Sequence, residues 1–144
     1  MKSIIIIATS LLLSLTGWQT NFEKAKESAR EQHKLVLLNF SGSDWCGPCI
    51  KMRKDIFDSP SFTKMADSLL VLVNADFPRS RKNQLSKELQ QQNDQLAEKY
   101  NQQGIFPLTV LLDENGKALK TWQGLPKDAA GFIEEIKSLA NARK

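Results

Sequence analysis

From Leu35 onward the apolar residues gather in short runs separated by polar stretches. Leu35-Val36-Leu37-Leu38-Asn39-Phe40 is almost continuously apolar, the pattern of a strand covered on both faces. Leu69 to Ala75 and Thr109-Val110-Leu111-Leu112 repeat that pattern. Asp113-Glu114-Asn115-Gly116 predicts a turn, because Asn-Gly takes positive backbone angles with little strain. Lys117 to Gln123 then returns as the second strand of a hairpin. Between the strands the spacing is helical. Thr20-Asn21-Phe22-Glu23 has the form of a capping box with Thr20 as cap, and Phe22, Ala25 and Ala29 share one face of a helix from about Asn21 to Gln32. A helix from about Cys46 turns Met52, Ile56 and Phe57 inward. Ser59-Pro60 opens the next, with Ser59 as cap and proline in the first turn. From Asp128 a last helix carries Phe132, Ile133, Ile136, Leu139 and Ala140 on its inner face.

The segment from Arg79 to Gln103 is polar and rich in glutamine, yet Leu85, Leu89, Leu96 and Tyr100 fall close to one helical face. It predicts a long amphipathic helix behind a basic loop at Arg79, Arg81 and Lys82. The order helix, strand, helix, strand, helix, hairpin, helix describes an α/β domain with a mixed sheet. No internal repeat or linker interrupts it.

The first residues differ. Lys2 precedes an apolar run from Ile4 to Leu15, and small residues follow. Those twelve residues would span about 18 Å as a helix, short of a hydrocarbon core of about 30 Å. The pattern is that of a secretory signal peptide over residues 1–17, leaving one domain over 18–144. An uncleaved single-span anchor is the alternative. Export places the chain in an oxidising compartment, where paired cysteines form disulfides.

With 144 residues the chain suits one domain. Its 20 Lys+Arg against 16 Asp+Glu give a small, dispersed excess of +4, which does not describe a nucleic-acid protein. Two cysteines and one histidine are too few for a self-contained Cys₄ or Cys₂His₂ zinc site. His33, in the turn before the first long strand, reads as a surface histidine.

The chemistry therefore points to Trp45-Cys46-Gly47-Pro48-Cys49, placed between a buried strand and a helix. Cysteines three apart at a helix start share a face, with Cα atoms inside the ~4.4–6.8 Å window of a disulfide. Free N–H groups of the first turn favour thiolate over thiol at Cys46, below the value of about 8.5 for a free cysteine. Thiolate is the nucleophile, so Cys46 attacks an incoming disulfide and Cys49 resolves the mixed disulfide. Pro48 suits a first turn that needs no N–H, Gly47 lets a partner's backbone approach, and Trp45 offers a flat apolar surface. A bridge closing so short a loop constrains the unfolded chain little, which argues against a mainly structural role.

The chain resembles the thioredoxin superfamily, and within it exported bacterial thioredoxin-like proteins. The stretches that carry the likeness are Gly42-Ser43-Asp44-Trp45-Cys46-Gly47-Pro48-Cys49, Asp76-Phe77-Pro78-Arg79, Gly104-Ile105-Phe106-Pro107 and Leu111-Leu112-Asp113-Glu114-Asn115-Gly116-Lys117. The resemblance implies a thioredoxin fold, a central mixed sheet flanked by helices on both faces, and thiol–disulfide exchange with protein substrates. It implies a cis peptide at Phe106-Pro107, facing the cysteines and offering backbone groups to a substrate strand. A monomer without cofactor or metal is expected, and the resemblance implies a membrane protein that relays electrons if the direction is reducing, which the Gly-Pro dipeptide favours. The chain departs from thioredoxins proper where they bury an aspartate before the motif and a lysine on the next strand. Asn39 stands at the first position, and Val71-Leu72-Val73 at the second carries no charge. After the proline, Leu108 replaces a frequent threonine. Asp44, two residues before Cys46, is expected to oppose the thiolate. Two rival functions remain open: a non-catalytic binding module of the same fold, and a soft-metal carrier holding Cu(I) on Cys46 and Cys49.

Overall fold

A computed structural model describes residues 17–143. The expected signal peptide thus lies outside the described residues except for Gly17. The elements are β1 (Trp18–Gln19), α1 (Phe22–Gln32), β2 (Leu35–Ser41), α2 (Gly47–Met52), α3 (Pro60–Leu69), β3 (Leu70–Asp76), α4 (Lys87–Tyr100), β4 (Leu108–Leu112), β5 (Ala118–Gln123) and α5 (Ala129–Asn141). The sheet order is β1-β3-β2-β4-β5. β1 and β2 run parallel to β3, while β4 is antiparallel to both β2 and β5. This is the mixed sheet expected, extended by β1, a two-residue strand too short to leave a periodic signal.

Alternation along β2 assigns the faces. Leu35 and Leu37 join Met52, Ile56, Phe57 and the inner residues of α3 and α5. Val36, Leu38 and Phe40 join Phe22, Ala25, Ala29 of α1 and Leu96 of α4. Both faces are covered, which is why β2 reads as a continuous apolar run. Each fully buried large side chain contributes about 1.5–3 kcal/mol of transfer free energy. The core therefore fixes β2, and with it the position of whatever follows Ser41.

Local chemistry sets the ends. The cap of α1 is Asn21, not Thr20: Asn21 Oδ1 accepts the Lys24 N–H at 3.0 Å. Asparagine caps at least as well as threonine, and the Thr20 carbonyl is taken by Gln92 Nε2 at 2.8 Å. His33 ends α1 in the left-handed region (φ 55°), exposed as expected. Ser59 Oγ caps α3 by accepting the Phe62 N–H at 3.2 Å. Helix α2 widens into a π turn over Arg53–Phe57, closed by the Asp58 N–H on the Arg53 carbonyl at 2.9 Å. The turn sinks Ile56 and Phe57 side by side and stops the helix before Ser59-Pro60.

The polar stretch after β3 contains a 3₁₀ turn (Arg81–Asn83) and α4, capped by Ser86. The helix is shorter than its periodicity suggested, and Leu85 precedes it. Its most buried residue is Asn93, which donates to the Asp76 carbonyl at 3.0 Å. That bond anchors α4 to the end of β3.

Candidate active site

The loop after β2 rises from the carboxyl end of a strand that is buried along its whole length. The Cys46 N–H donates to the Gly42 carbonyl at 2.9 Å, closing the loop into a turn. Cys46 is the N-cap of α2, and its Sγ accepts the Cys49 N–H at 3.3 Å. Pro48 occupies the first turn. The two cysteines are bridged, with Cα atoms 5.3 Å apart. Both are almost fully covered, at 5% exposure each, while Gly47 and Pro48 between them are exposed. The sulfur of Cys46 thus lies where first-turn dipoles stabilise a thiolate.

Trp45 sets one wall. Its Nε1–H donates to the Phe77 carbonyl at 2.7 Å, and its indole meets the Phe106 ring edge-on at 5.5 Å. Phe77 packs against Phe106 at 5.5 Å in turn. Phe106-Pro107 is a cis peptide directly before β4, whose Leu108 pairs with Phe40 at the end of β2. Trp45, the cysteine pair and Phe106-Pro107 therefore share one end of the sheet. Gly42 is required beneath the indole, because a Cβ there would stand 2.5 Å from Trp45 Nε1 and Cζ2.

Two carboxylates cross-brace this end. Asp76 accepts the Ser43 N–H at 2.9 Å and the Ser43 hydroxyl. Asp44 accepts the N–H groups of Arg79 and Ser80 at 3.0 and 2.9 Å, and Asn83 Nδ2 at 3.0 Å. The Arg79 N–H, then Asn83 and Ser80, hold the Asp44 carboxyl below its usual range. These bonds keep Asp44 ionised and tie it to the 79–83 segment.

Beneath Cys49 lies a cleft of about 430 Å³ lined by Asn39, Ser41, Asn74, Ile50 and Lys54 among others. The register pairs Asn39 with Asn74 on β3 and Thr109 on β4. Asn39 Nδ2 donates to Asn74 Oδ1 at 3.2 Å, and Asn39 Oδ1 accepts the Thr109 hydroxyl at 3.1 Å. Ser41 Oγ donates to the same Asn74 Oδ1 at 3.1 Å. The neighbour of Asn39 on β3 is therefore Asn74, not the Val71–Val73 run expected from the sequence. This uncharged network satisfies the buried polar atoms without an ion. Sequence reasoning missed Asn74 and Thr109, although an asparagine inside a buried strand was a signal. Beyond Cys49, Lys51 pairs with Asp55, and Arg53 with Asp58, on open surface where such pairs contribute little. No cluster of three or more His, Cys, Asp or Glu among the described residues is placed to hold a metal.

Comparison with known proteins gives a consistent outcome. The family profile described as thioredoxin-like matches residues 17–114. A disulfide bond reductase, DsbH of Chlamydia pneumoniae, is 36% identical over 126 residues, covering 88% of this chain and 74% of that protein. The thioredoxin-related protein DsbJ of the same organism is 30% identical over 102 residues, 71% of this chain but 28% of its own length. A solved structure of a DsbH oxidoreductase superposes with a TM-score of 0.77 at 34% identity, covering 87% of this chain and 84% of that one.

Proposed function

Because the chain belongs to the thioredoxin superfamily and is a thioredoxin-like disulfide oxidoreductase, we propose that it is an exported reductase of protein disulfides. The observation that carries this reading is a buried, bridged Cys46–Cys49 pair at the first turn of α2, with Cys46 as its cap.

In the reduced protein the Cys46 thiolate attacks one sulfur of a substrate disulfide. The Cys46–substrate bond forms, and the substrate's second sulfur leaves as a thiolate that takes a proton from solvent. Cys49, deprotonated to water in the adjoining cleft, then attacks Cys46 Sγ. The Cys46–Cys49 bridge forms and the second substrate thiol is released. Two electrons pass to the substrate, and the protein ends oxidised. Trp45, Gly47 and Pro48 on one side and Phe106-Pro107 on the other form the surface that receives the substrate chain.

The reducing direction is supported by the Gly-Pro dipeptide and by the name of the DsbH relative. Export is supported by the apolar run behind Lys2. A reductase outside the cytoplasm needs an electron source, and a membrane dithiol relay supplies that chemistry. Equilibration of Cys46/Cys49 with glutathione tests the direction. A midpoint near about −270 mV, as in thioredoxin, supports a reductant, and one near about −120 mV overturns it.

A further inference from the structure

The guanidinium of Arg79 lies 3.7 Å from the centroid of the Trp45 ring. Trp45 is the residue before Cys46, and its ring is fixed by Phe77 and Phe106. The Arg79 backbone is fixed as well, by its N–H on Asp44. An arginine so stacked loses little further freedom on binding. Yet its charge is unanswered. Arg79 is exposed, and among the described residues no carboxylate pairs with it. The two acids of this end are engaged elsewhere. Asp44 accepts backbone N–H groups and Asn83, and Asp76 accepts from Ser43 and the Phe77 N–H. Arg81 and Lys82 follow, exposed and likewise without an acidic partner among the described residues. On the other side of the bridge Lys54 lines the cleft under Cys49. Arg53 and Asp58 of the same cleft pair with each other, so the cations left without an acidic partner beside Trp45 are Arg79, Arg81 and Lys82, of which Arg79 is preorganised.

We propose that Arg79 is a specificity-determining residue that takes a carboxylate of the substrate polypeptide, so that disulfides flanked by Asp or Glu are preferred. A chain that brings its sulfur to Cys46 passes Trp45, on whose ring Arg79 is stacked, so residues flanking the substrate cysteine meet the guanidinium. The guanidinium presents planar paired donors, the geometry a carboxylate fits. This inference rests on the oxidoreductase reading and names its substrate class.

The test uses three disulfide peptides that differ only at the positions flanking one cysteine: Glu, Gln or Lys. Reduction by the dithiol form of the full domain is followed at low and high salt. The parent protein is expected to reduce the Glu peptide about two- to fivefold faster than the Gln peptide at low salt, the range of an exposed ion pair. The preference should shrink in high salt. In Arg79→Gln the Glu/Gln ratio should fall to one, and in Arg79→Glu the order should reverse in favour of Lys. A ratio of one in the parent, or an unchanged ratio in Arg79→Gln, overturns the proposal. An equal loss on all three peptides in Arg79→Gln also overturns it, since Arg79 would then only prop Trp45. A parent protein that reduces none of the peptides sinks the oxidoreductase reading itself, which the Gln peptide reports separately from the ratio.

Discussion

Replacing Gly42 with alanine should damage the site from below without touching a sulfur. A Cβ at this position stands 2.5 Å from Nε1 and Cζ2 of Trp45. Carbon atoms rest at about 3.5–4.0 Å, and Cε2 of the indole is nearer still, so the ring must retreat by more than about 1 Å. Its escape is limited by the hydrogen bond to the Phe77 carbonyl at 2.7 Å and by the Phe106 ring. If the ring stays, the overpacking costs about 1–3 kcal/mol. If it swings out, the protein loses a hydrogen bond of about 1 kcal/mol and an aromatic pair of about 0.5–1.5 kcal/mol. Either route gives about 2 kcal/mol. For a domain of this length each kcal/mol shifts Tm by about 3–5 °C, so the midpoint should fall by about 6–10 °C. The assay is thermal unfolding followed by circular dichroism, with the near-ultraviolet bands reporting the tryptophan environment. Gly47→Ala is the control, because a Cβ there meets nothing within 4 Å. It should melt with the parent or slightly above it. A Gly42→Ala protein that melts with the parent and keeps its near-ultraviolet spectrum would refute the reasoning.

Asn39→Leu should cost about 1–3 kcal/mol in urea unfolding, because it orphans the Thr109 hydroxyl and removes a donor from Asn74. An unchanged midpoint would mean that the network relaxes freely. The Asp44 clamp has a definite pH sign. Its carboxyl titrates below the ordinary value of 3.8 because the Arg79 N–H, Asn83 and the Ser80 N–H favour the charged form. The stability it adds is full above the unfolded value and is lost as pH falls through the lower native one. Asp44→Asn should therefore flatten that part of the acid limb and leave the shape of the curve above it unaltered. Cys49→Ser should trap substrate on Cys46 as a stable mixed disulfide, visible by mass spectrometry under non-reducing conditions. Prompt release of the substrate would mean that a group other than Cys49 resolves it.

Much of this molecule is legible in its residues because the signals are local. The continuous apolar run at Leu35–Phe40 announced a doubly covered strand, and Ser59-Pro60 a helix start. Asn115-Gly116 announced the hairpin, which pairs Leu108–Leu112 with Ala118–Gln123. Trp18–Gln19 was invisible because two residues carry no period, and it is a strand only through its pairing with Leu72 and Val73. The capping box failed at Thr20 because Asn21, one residue later, caps the helix instead by accepting the Lys24 N–H. Within the site, Cys46, Cys49 and Trp45 stood out by type and spacing, and Phe106-Pro107 through the family resemblance. The partners that hold them did not. Asn74 meets Asn39 only through a parallel register, and Asp44 reaches Arg79 across 35 positions of chain. Contacts of that separation are set by the sheet, and no short window of sequence contains them.

The account depends on the Cys46 sulfur being made acidic by the first turn of α2, where it already accepts the Cys49 N–H. The direct measurement is the ultraviolet thiolate absorbance of Cys46 as a function of pH in folded Cys49→Ser protein. The midpoint should lie one or more units below the value of about 8.5 for a free cysteine. Titration together with free cysteine would contradict the account.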